Sequence, residues 1–126
     1  MSHKPDGYTS VAPYLICAGA GAVVDFLIGV FGGEQLRRFD GPDGKVHHAE
    51  VRVEDTVVML ADGHPDHPPT PAHVHVYVRD VDATYRDALG AGAESVQEPA
   101  QRGDPDRRGG VKDPAGNTWW IATQVG

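Results

Sequence analysis

Cysteine and long apolar runs are almost missing from this sequence, and each shortage excludes a class of protein. Cys17 is the only cysteine among 126 residues, so no disulfide can form within the chain, and a reducing compartment is expected. No apolar run approaches the roughly 18 residues that a membrane-spanning helix needs. The first residues, up to Gly7, also lack the apolar stretch of a signal peptide. The sequence therefore predicts a cytoplasmic protein that does not enter a membrane.

Positive charge is also scarce. The chain has 11 Lys and Arg against 18 Asp and Glu, a formal net charge of −7. A nucleic-acid partner would require a concentrated basic face, so we expect none. The length fits one domain, residues 1–126, with a substantial core. The 16 glycines and 10 prolines are spread along the chain, which is typical of short strands joined by turns.

A predicted hairpin from Val46 to Asp62 organises the first half of the chain. Apolar and polar residues alternate up to Val53, which is the pattern of a strand with one buried face. Glu54 and Asp55 form a polar turn, and the residues from Thr56 to Ala61 are typical of a partner strand. The polar face of the hairpin carries a histidine, a carboxylate and a guanidinium, a composition that indicates the wall of a binding cleft.

The chain repeats one pattern of elements after about sixty residues, and such a repeat indicates two similar modules. We predict module one over residues 11–62, a stiff proline-rich linker over 63–71, and module two over 72–124. Each module reads strand, helix and three strands. The predicted strands cover 11–17, 34–39, 46–53, 56–61, 72–79, 95–98, 108–112 and 118–124, and the predicted helices cover 22–31 and 80–89.

The order and motifs of these elements resemble the vicinal oxygen chelate superfamily, which holds glyoxalase I, bleomycin-resistance proteins and extradiol dioxygenases. The resemblance is greatest to its small PhnB-like and bleomycin-resistance-like members, and it covers residues 11–124. The segments that carry it are Ala12–Leu15, Asp25–Glu34, His48–Val53, Val57–Asp62, His73–Asp82 and Val111–Trp119. It implies an α+β fold of two βαβββ modules, which form a curved mixed sheet around a cleft.

The resemblance also implies where a metal would bind in the metal-dependent members of the superfamily. Its four ligand positions align with Ala12, Met59, His73 and Trp120. Of these, only His73 offers a good donor for a divalent ion, because alanine and indole have none and a thioether is a poor one. We therefore expect no cofactor and no resident metal, and if a metal binds, His73 is its ligand.

Two histidines of the predicted strand over 72–79 point toward the cleft. His73 and His75 are two residues apart, so both side chains lie on one face of the strand. One interpretation adds His48 or Glu50 from the hairpin to make a non-standard metal site. The other interpretation, which we favour, is that these polar residues line a wet groove and bind water or a ligand.

Strand alternation brings four further side chains to the same face: Tyr14, Met59, Tyr77 and Trp120. These side chains would form a floor on which a flat, largely apolar ligand stacks. One residue of the pair Trp119–Trp120 must face the helices. We expect Trp119 to fill that core and Trp120 to lie in the cleft.

Three other features have plainer interpretations. The run from Ala18 to Ala22 lacks the third glycine of a dinucleotide-binding loop, so we expect it to begin the helix. His64 and His67 lie in the linker and are expected to be solvated. Arg108 precedes a cleft strand, where it would either meet an anionic or carbonyl group of a ligand or remain solvated.

Two hypotheses for function follow. The first is a binding protein that sequesters a planar aromatic metabolite or antibiotic and so confers drug resistance, as bleomycin-resistance-like proteins do. The alternative is an enzyme, a lyase, isomerase or dioxygenase-like protein, that uses His48, Glu50, His73 and His75 as acid–base groups or as an atypical metal site. The resemblance also implies a homodimer, in which the modules are sometimes exchanged. The proline-rich linker fits such an exchange because it disfavours folding one module sharply onto the other.

Overall fold

A computed structural model describes residues 2–126, and its ten elements confirm the predicted α+β fold with two βαβββ modules. The elements are β1 Tyr14–Cys17, α1 Ala20–Phe31, β2 Glu34–Asp40, β3 Val46–Val53, β4 Thr56–Asp62, β5 His73–Tyr77, α2 Val81–Gly90, β6 Glu94–Gln101, β7 Asp106–Lys112 and β8 Thr118–Gln124. Module one is β1 to β4 with α1, and module two is β5 to β8 with α2. The longer of the two helices in this part of the chain has 12 residues, so neither could cross a bilayer.

The two modules repeat one sheet topology. Module one has the strand order β1-β4-β3-β2, and module two has the order β5-β8-β7-β6. In each sheet the first and last strands of the module pair in parallel, and all other pairs are antiparallel. The first strand of each module therefore lies at the edge of its sheet, next to the last strand.

The partly buried carboxylate of Asp62, at the end of β4, holds the start of helix α1. Oδ1 of Asp62 accepts hydrogen bonds from the backbone N–H groups of Gly19 and Ala20, and Oδ2 accepts one from Val46. Burial alone would raise the pKa of Asp62, but these three hydrogen bonds lower it below its ordinary value. The run from Ala18 to Ala22 thus begins the helix, which ends at Gly32 with the left-handed φ of 66° that glycine tolerates.

The two modules of one chain share a single hydrophobic core. Helices α1 and α2 are in contact, and the Phe31 ring packs on the Trp119 indole with ring centroids 5.4 Å apart. Trp119 is only 1% exposed, which agrees with the expectation that it fills the helix-facing core. The linker therefore does allow the modules to pack together within one chain, in contrast to what its proline content suggested.

The buried carboxylate of Asp113 fixes the turn between β7 and β8 and links it to the core. Its two oxygens accept hydrogen bonds from the backbone N–H groups of Ala115 and Asn117, from the Asn117 side chain and from the Trp119 indole N–H, at 2.8 to 3.1 Å. Asn117 also accepts a bond from the backbone N–H of Ala72, just before β5. One carboxylate thus orders the start of β5, the turn and the orientation of Trp119.

Several element boundaries differ from those predicted, each for a local reason. Strand β1 begins at Tyr14 rather than at residue 11, after Pro13, which has no N–H to donate. Helix α1 begins at Ala20 because Asp62 caps it there. Strands β6 and β7 are longer than predicted because their pairing continues to the register pair of Gln101 and Arg107.

Candidate functional site

In module one, the predicted cleft residues form one row across three strands. Met59 of β4 lies between Tyr14 of β1 and Glu50 of β3 in the sheet register. Tyr14 is 48% exposed, whereas Glu50 is only 2% exposed. A buried carboxylate is costly unless it is hydrogen-bonded, so the partners of Glu50 decide what this surface can do.

Glu50 is the centre of a hydrogen-bonded chain. Its Oε2 pairs with His48 Nε2 at 2.8 Å, and the His48 Nδ1 atom lies 3.0 Å from the Tyr14 hydroxyl. Its Oε1 accepts a hydrogen bond from the Tyr8 hydroxyl. Burial by itself raises the pKa of Glu50, but the hydrogen bonds from Tyr8 and His48 outweigh that effect and lower it. We call these four residues, Tyr8, Tyr14, His48 and Glu50, the module-one chain.

Tyr8 was not among the sequence-predicted site residues. It lies in the segment before β1, which the structure places against the polar face of module one. The Arg52 guanidinium donates to the Gly7 carbonyl, and Arg37 lies 5.5 Å from the centroid of the Tyr8 ring. The hydrogen bond to Glu50 raises the pKa of the Tyr8 hydroxyl. The only signal in the sequence was an isolated aromatic residue in a polar segment.

In module two, Trp120 lies flat against the sheet. Its register partners are His75 on β5 and Gly110 on β7. A Cβ atom at Gly110 would lie 2.8 Å from the indole, so glycine is what allows the ring to lie over β7. The indole N–H donates to His73 Nδ1 at 3.1 Å, so the two rings lie edge to edge and nearly coplanar, with an interplanar angle of 8° and centroids 6.1 Å apart. Trp120 is partly exposed and lies on the face of the sheet opposite to Trp119.

The other predicted residues of module two surround a second buried carboxylate. Asp106 is 7% exposed and accepts hydrogen bonds from the Tyr77 hydroxyl at 2.7 Å and from Arg108 at 2.8 Å. Arg108 also donates to His75 Nε2 at 3.1 Å and to Asp104 at 3.2 Å. Arg108 is therefore held by its neighbours rather than freely solvated. The hydrogen bond to Asp106 raises the pKa of Tyr77.

Within one chain the two groups of residues remain separate. Across residues 2–126, no hydrogen bond joins the module-one chain to the residues around Trp120 and Asp106. One pocket of about 500 Å³ lies between the β3–β4 turn and β5 and is lined by His75 and Tyr77. Another pocket, of about 580 Å³, lies beside Tyr14 and includes the exposed linker residues His64 and His67.

The residues at the superfamily's metal positions do not suit a metal ion in this fold. Ala12, Met59 and Trp120 supply no suitable donor, and His73 already accepts the Trp120 N–H with its Nδ1. No group of three or more His, Cys, Asp or Glu side chains within residues 2–126 is arranged to hold one. Burial raises the pKa of Cys17 to about 11, so this thiol is not a ready nucleophile either.

The contact between Arg108 and His75 generates a test of this geometry. Burial and then the charge of Arg108 lower the pKa of His75, while Asp106 and Asp104 oppose them. Arg108→Gln removes the cation and leaves both carboxylates, so it should raise the pKa of His75 in an NMR titration. Arg107→Gln is the matched control, because the Arg107 side chain pairs with Asp82 instead. An unchanged His75 titration in Arg108→Gln would contradict the geometry.

Comparison with solved structures places this fold among known ones. The structure of TioX from Micromonospora sp. ML1 matches with a TM-score of 0.77 and 27% identity over 93% of this chain and 99% of that chain. The structure of TnmS3, an antibiotic binding protein from Streptomyces sp. CB03234, matches with a TM-score of 0.71 and 20% identity over 94% of this chain and all of that chain. The second likeness is one of fold alone.

Sequence comparison identifies the family. An uncharacterized protein of Mycobacterium bovis is 35% identical over 127 aligned positions, which cover 92% of this chain and 84% of the relative. The family model for the Glyoxalase/Bleomycin resistance protein/Dioxygenase superfamily matches residues 10–121, nearly the whole chain. The chain belongs to the Glyoxalase/Bleomycin resistance protein/Dioxygenase superfamily.

Proposed function

We propose that this protein binds and sequesters a planar aromatic small molecule, a metabolite or an antibiotic, and that such binding confers drug resistance. The observation that carries the proposal is the Trp120 indole, which lies over Gly110 and is held in plane by its hydrogen bond to His73. A flat, partly exposed indole offers its face to another aromatic ring, and such a contact contributes about 0.5–1.5 kcal/mol beyond the buried area.

Other features of the surface support a binding role. His75 and Tyr77 form an edge-to-face pair with centroids 4.8 Å apart, and Tyr77 is 56% exposed. Met59 in module one can adapt its shape to a ligand. The antibiotic-binding TnmS3 shares the fold, which supports binding as a role that this architecture accommodates. The single, buried Cys17 supports a reducing, cytoplasmic location.

An acid–base enzyme, a lyase, isomerase or dioxygenase-like protein, is the second candidate. The observation in its favour is the pair of His48 and the buried Glu50, because a carboxylate that holds a histidine is a common arrangement for a general base. The two candidates differ in what happens to the ligand. A binding protein releases the ligand unchanged, whereas an enzyme converts it, and mass spectrometry of the recovered ligand distinguishes them.

We also propose that the chain, acting as one domain, forms a homodimer in which module one of each protomer faces module two of its partner. Within residues 2–126, no hydrogen bond joins the two groups of cleft residues. Phe39, which is 60% exposed, stacks with His48 beside the module-one chain, at 6.4 Å between ring centroids. In the proposed dimer, Phe39 lies on the face that the partner covers.

The binding proposal predicts a specific loss of affinity. Fluorescence anisotropy of 9-anthracenemethanol should show saturable binding to the native protein, and Trp120→Ala should weaken it by about tenfold or more, since about 1.4 kcal/mol is one decade in affinity. Trp119→Phe is the matched control, because that ring lies in the core and should leave binding unchanged. Equal affinity in Trp120→Ala and the native protein would refute a stacking role for Trp120.

The dimer proposal predicts the sedimentation behaviour of the protein. The native protein should sediment at about twice the chain mass of 13.5 kDa at micromolar concentration. Phe39→Glu places a charge on the covered face and should shift the protein toward the monomer. Val125→Glu, at a similarly exposed position near the C-terminus, should not. A native monomer at these concentrations would overturn the dimer and would leave each cluster to bind ligand alone.

A further inference from the structure

The hydrogen bonds of the module-one chain fix the direction in which Tyr14 donates its proton. Both Glu50 oxygens accept, one from Tyr8 and one from His48 Nε2. An ionised carboxylate can only accept, so Nε2 of His48 carries a proton, and the Nδ1 atom of the neutral ring is an acceptor. The Tyr14 hydroxyl, 3.0 Å from Nδ1, therefore donates to it. The Tyr14 oxygen faces the ligand surface with lone pairs only.

Module two repeats this device with fewer residues. The Tyr77 hydroxyl donates directly to the buried Asp106, so the exposed Tyr77 oxygen can also only accept. Two tyrosine hydroxyls, one in each module, thus donate their hydrogen bonds to protein acceptors, Tyr14 to His48 and Tyr77 to Asp106. Water could accept the hydrogen bond of either exposed hydroxyl, so neither tyrosine requires a protein acceptor for stability. Because each hydroxyl donates to the protein instead, its oxygen can only accept a hydrogen bond from a bound ligand.

The negative charges around Tyr14 also favour a hydrogen-bond donor in the ligand. Glu50 lies behind it along the chain, and Asp62 lines the same pocket as Tyr14. Among the described cations, Arg37 lies over the Tyr8 ring at the far end of this chain, and Lys45 is close enough to Asp62 to help lower the pKa of that carboxyl. Opposite charges favour a cationic group at the Tyr14 end of the surface.

The histidines of module two present the complementary atoms. His73 Nδ1 accepts from Trp120 and His75 Nε2 accepts from Arg108. In the neutral tautomers that these bonds require, the remaining N–H of each ring is a donor. A carbonyl oxygen of the ligand could accept a hydrogen bond from these N–H groups. At Tyr14, by contrast, the ligand must supply a hydrogen-bond donor.

We infer that the ligand carries a hydrogen-bond-donating group, preferentially a protonated amine, on its aromatic ring system, and that this group binds the Tyr14 oxygen. The inference rests on the proposed binding function and adds the chemical class of the ligand. His48, Glu50 and Tyr8 are positioning residues in this account, because they act only through the orientation of the Tyr14 hydroxyl. The selectivity among aromatic ligands then depends on the buried carboxylate of Glu50, although Glu50 itself does not contact the ligand.

Three probes with one ring system test the inference. At about neutral pH, 9-(aminomethyl)anthracene is a cation, 9-anthracenemethanol is neutral and 9-anthracenecarboxylate is an anion without a donor. Anisotropy titrations should rank their affinities in that order, with the amine about tenfold or more tighter than the carboxylate. Tyr14→Phe keeps the aromatic ring and removes the oxygen, so it should reduce this ratio by about threefold or more, with the loss on the amine side.

Two glutamate variants separate the hydrogen-bond direction from simple charge. Glu50→Gln can donate to His48 Nε2, which moves the ring proton to Nδ1 and releases the Tyr14 proton toward the ligand. It should reduce the ratio as Tyr14→Phe does. Glu34→Gln removes the same charge from β2 of the same sheet, where Glu34 pairs only with Arg52. It should retain the native ratio.

Each contrary result has a distinct meaning. If the carboxylate binds as tightly as the amine, the inference is wrong while the proposed binding function stands. If the amine is preferred but Tyr14→Phe and Glu50→Gln both retain the native ratio, or if Glu34→Gln lowers it equally, net charge and not Tyr14 selects the ligand, and the inference is again overturned. If none of the three probes binds, the proposed function fails and the inference fails with it.

Discussion

The burial of the Trp119 ring in the core is the constraint on which the proposed site depends. The ring packs against Phe31 of the other module, and its N–H donates to the buried Asp113 at 2.8 Å. Because successive residues of a strand point to opposite faces, Trp120 must then point outward. The outward position of the Trp120 indole, above Gly110, is thus a consequence of the burial of Trp119 on the opposite side of the sheet.

The same carboxylate also makes the two modules depend on each other. Asp113 orients the Asn117 side chain, which contacts the Cys17 sulfur of module one at 3.9 Å and accepts from the backbone of Ala72. In module one, Asp62 plays a similar part by holding the start of α1 against the end of β4. In both modules a carboxylate near the turn or strand end satisfies backbone donors that would otherwise be buried without partners.

The polar surfaces of the two modules use a second pair of carboxylates for a different purpose. Glu50 and Asp106 are both nearly buried, yet each is connected to an exposed tyrosine hydroxyl, through His48 in one module and directly in the other. Burying an ionised group costs free energy that a simple structural strand would avoid. The occurrence of this arrangement in both modules supports the proposed recognition of a ligand.

Strand alternation was the part of the structure that the sequence predicted well. It separated Trp119 from Trp120 and Leu15 from Tyr14, because one face of each sheet packs on helices. The sequence did not reveal Tyr8, since a contact between a non-periodic segment and a strand leaves no pattern. Helix α2 buries Val81, Tyr85 and Ala88, whereas Leu89 is 38% exposed.

The sequence also could not predict that the cleft residues separate into two groups. Parity assigns a side chain to a face of its own sheet, but it does not determine how the two sheets are placed relative to each other. That placement follows from the shared core, in which Phe31 meets Trp119 across the modules. The hydrogen bonds of Arg108 to Asp104 and Asp106 could not be predicted from the sequence either. These residues are close in the chain, but the orientation of their side chains depends on the pairing of β6 with β7.

The two tryptophan indole N–H signals in an NMR titration test the central claim most directly, because one ring lies in the core and the other on the proposed ligand surface. Trp119→Phe assigns the two resonances. On addition of 9-(aminomethyl)anthracene to the native protein, the account predicts that the Trp120 signal moves in a saturable manner and that the Trp119 signal stays in place. Movement of the Trp119 signal alone, or of neither, would contradict it.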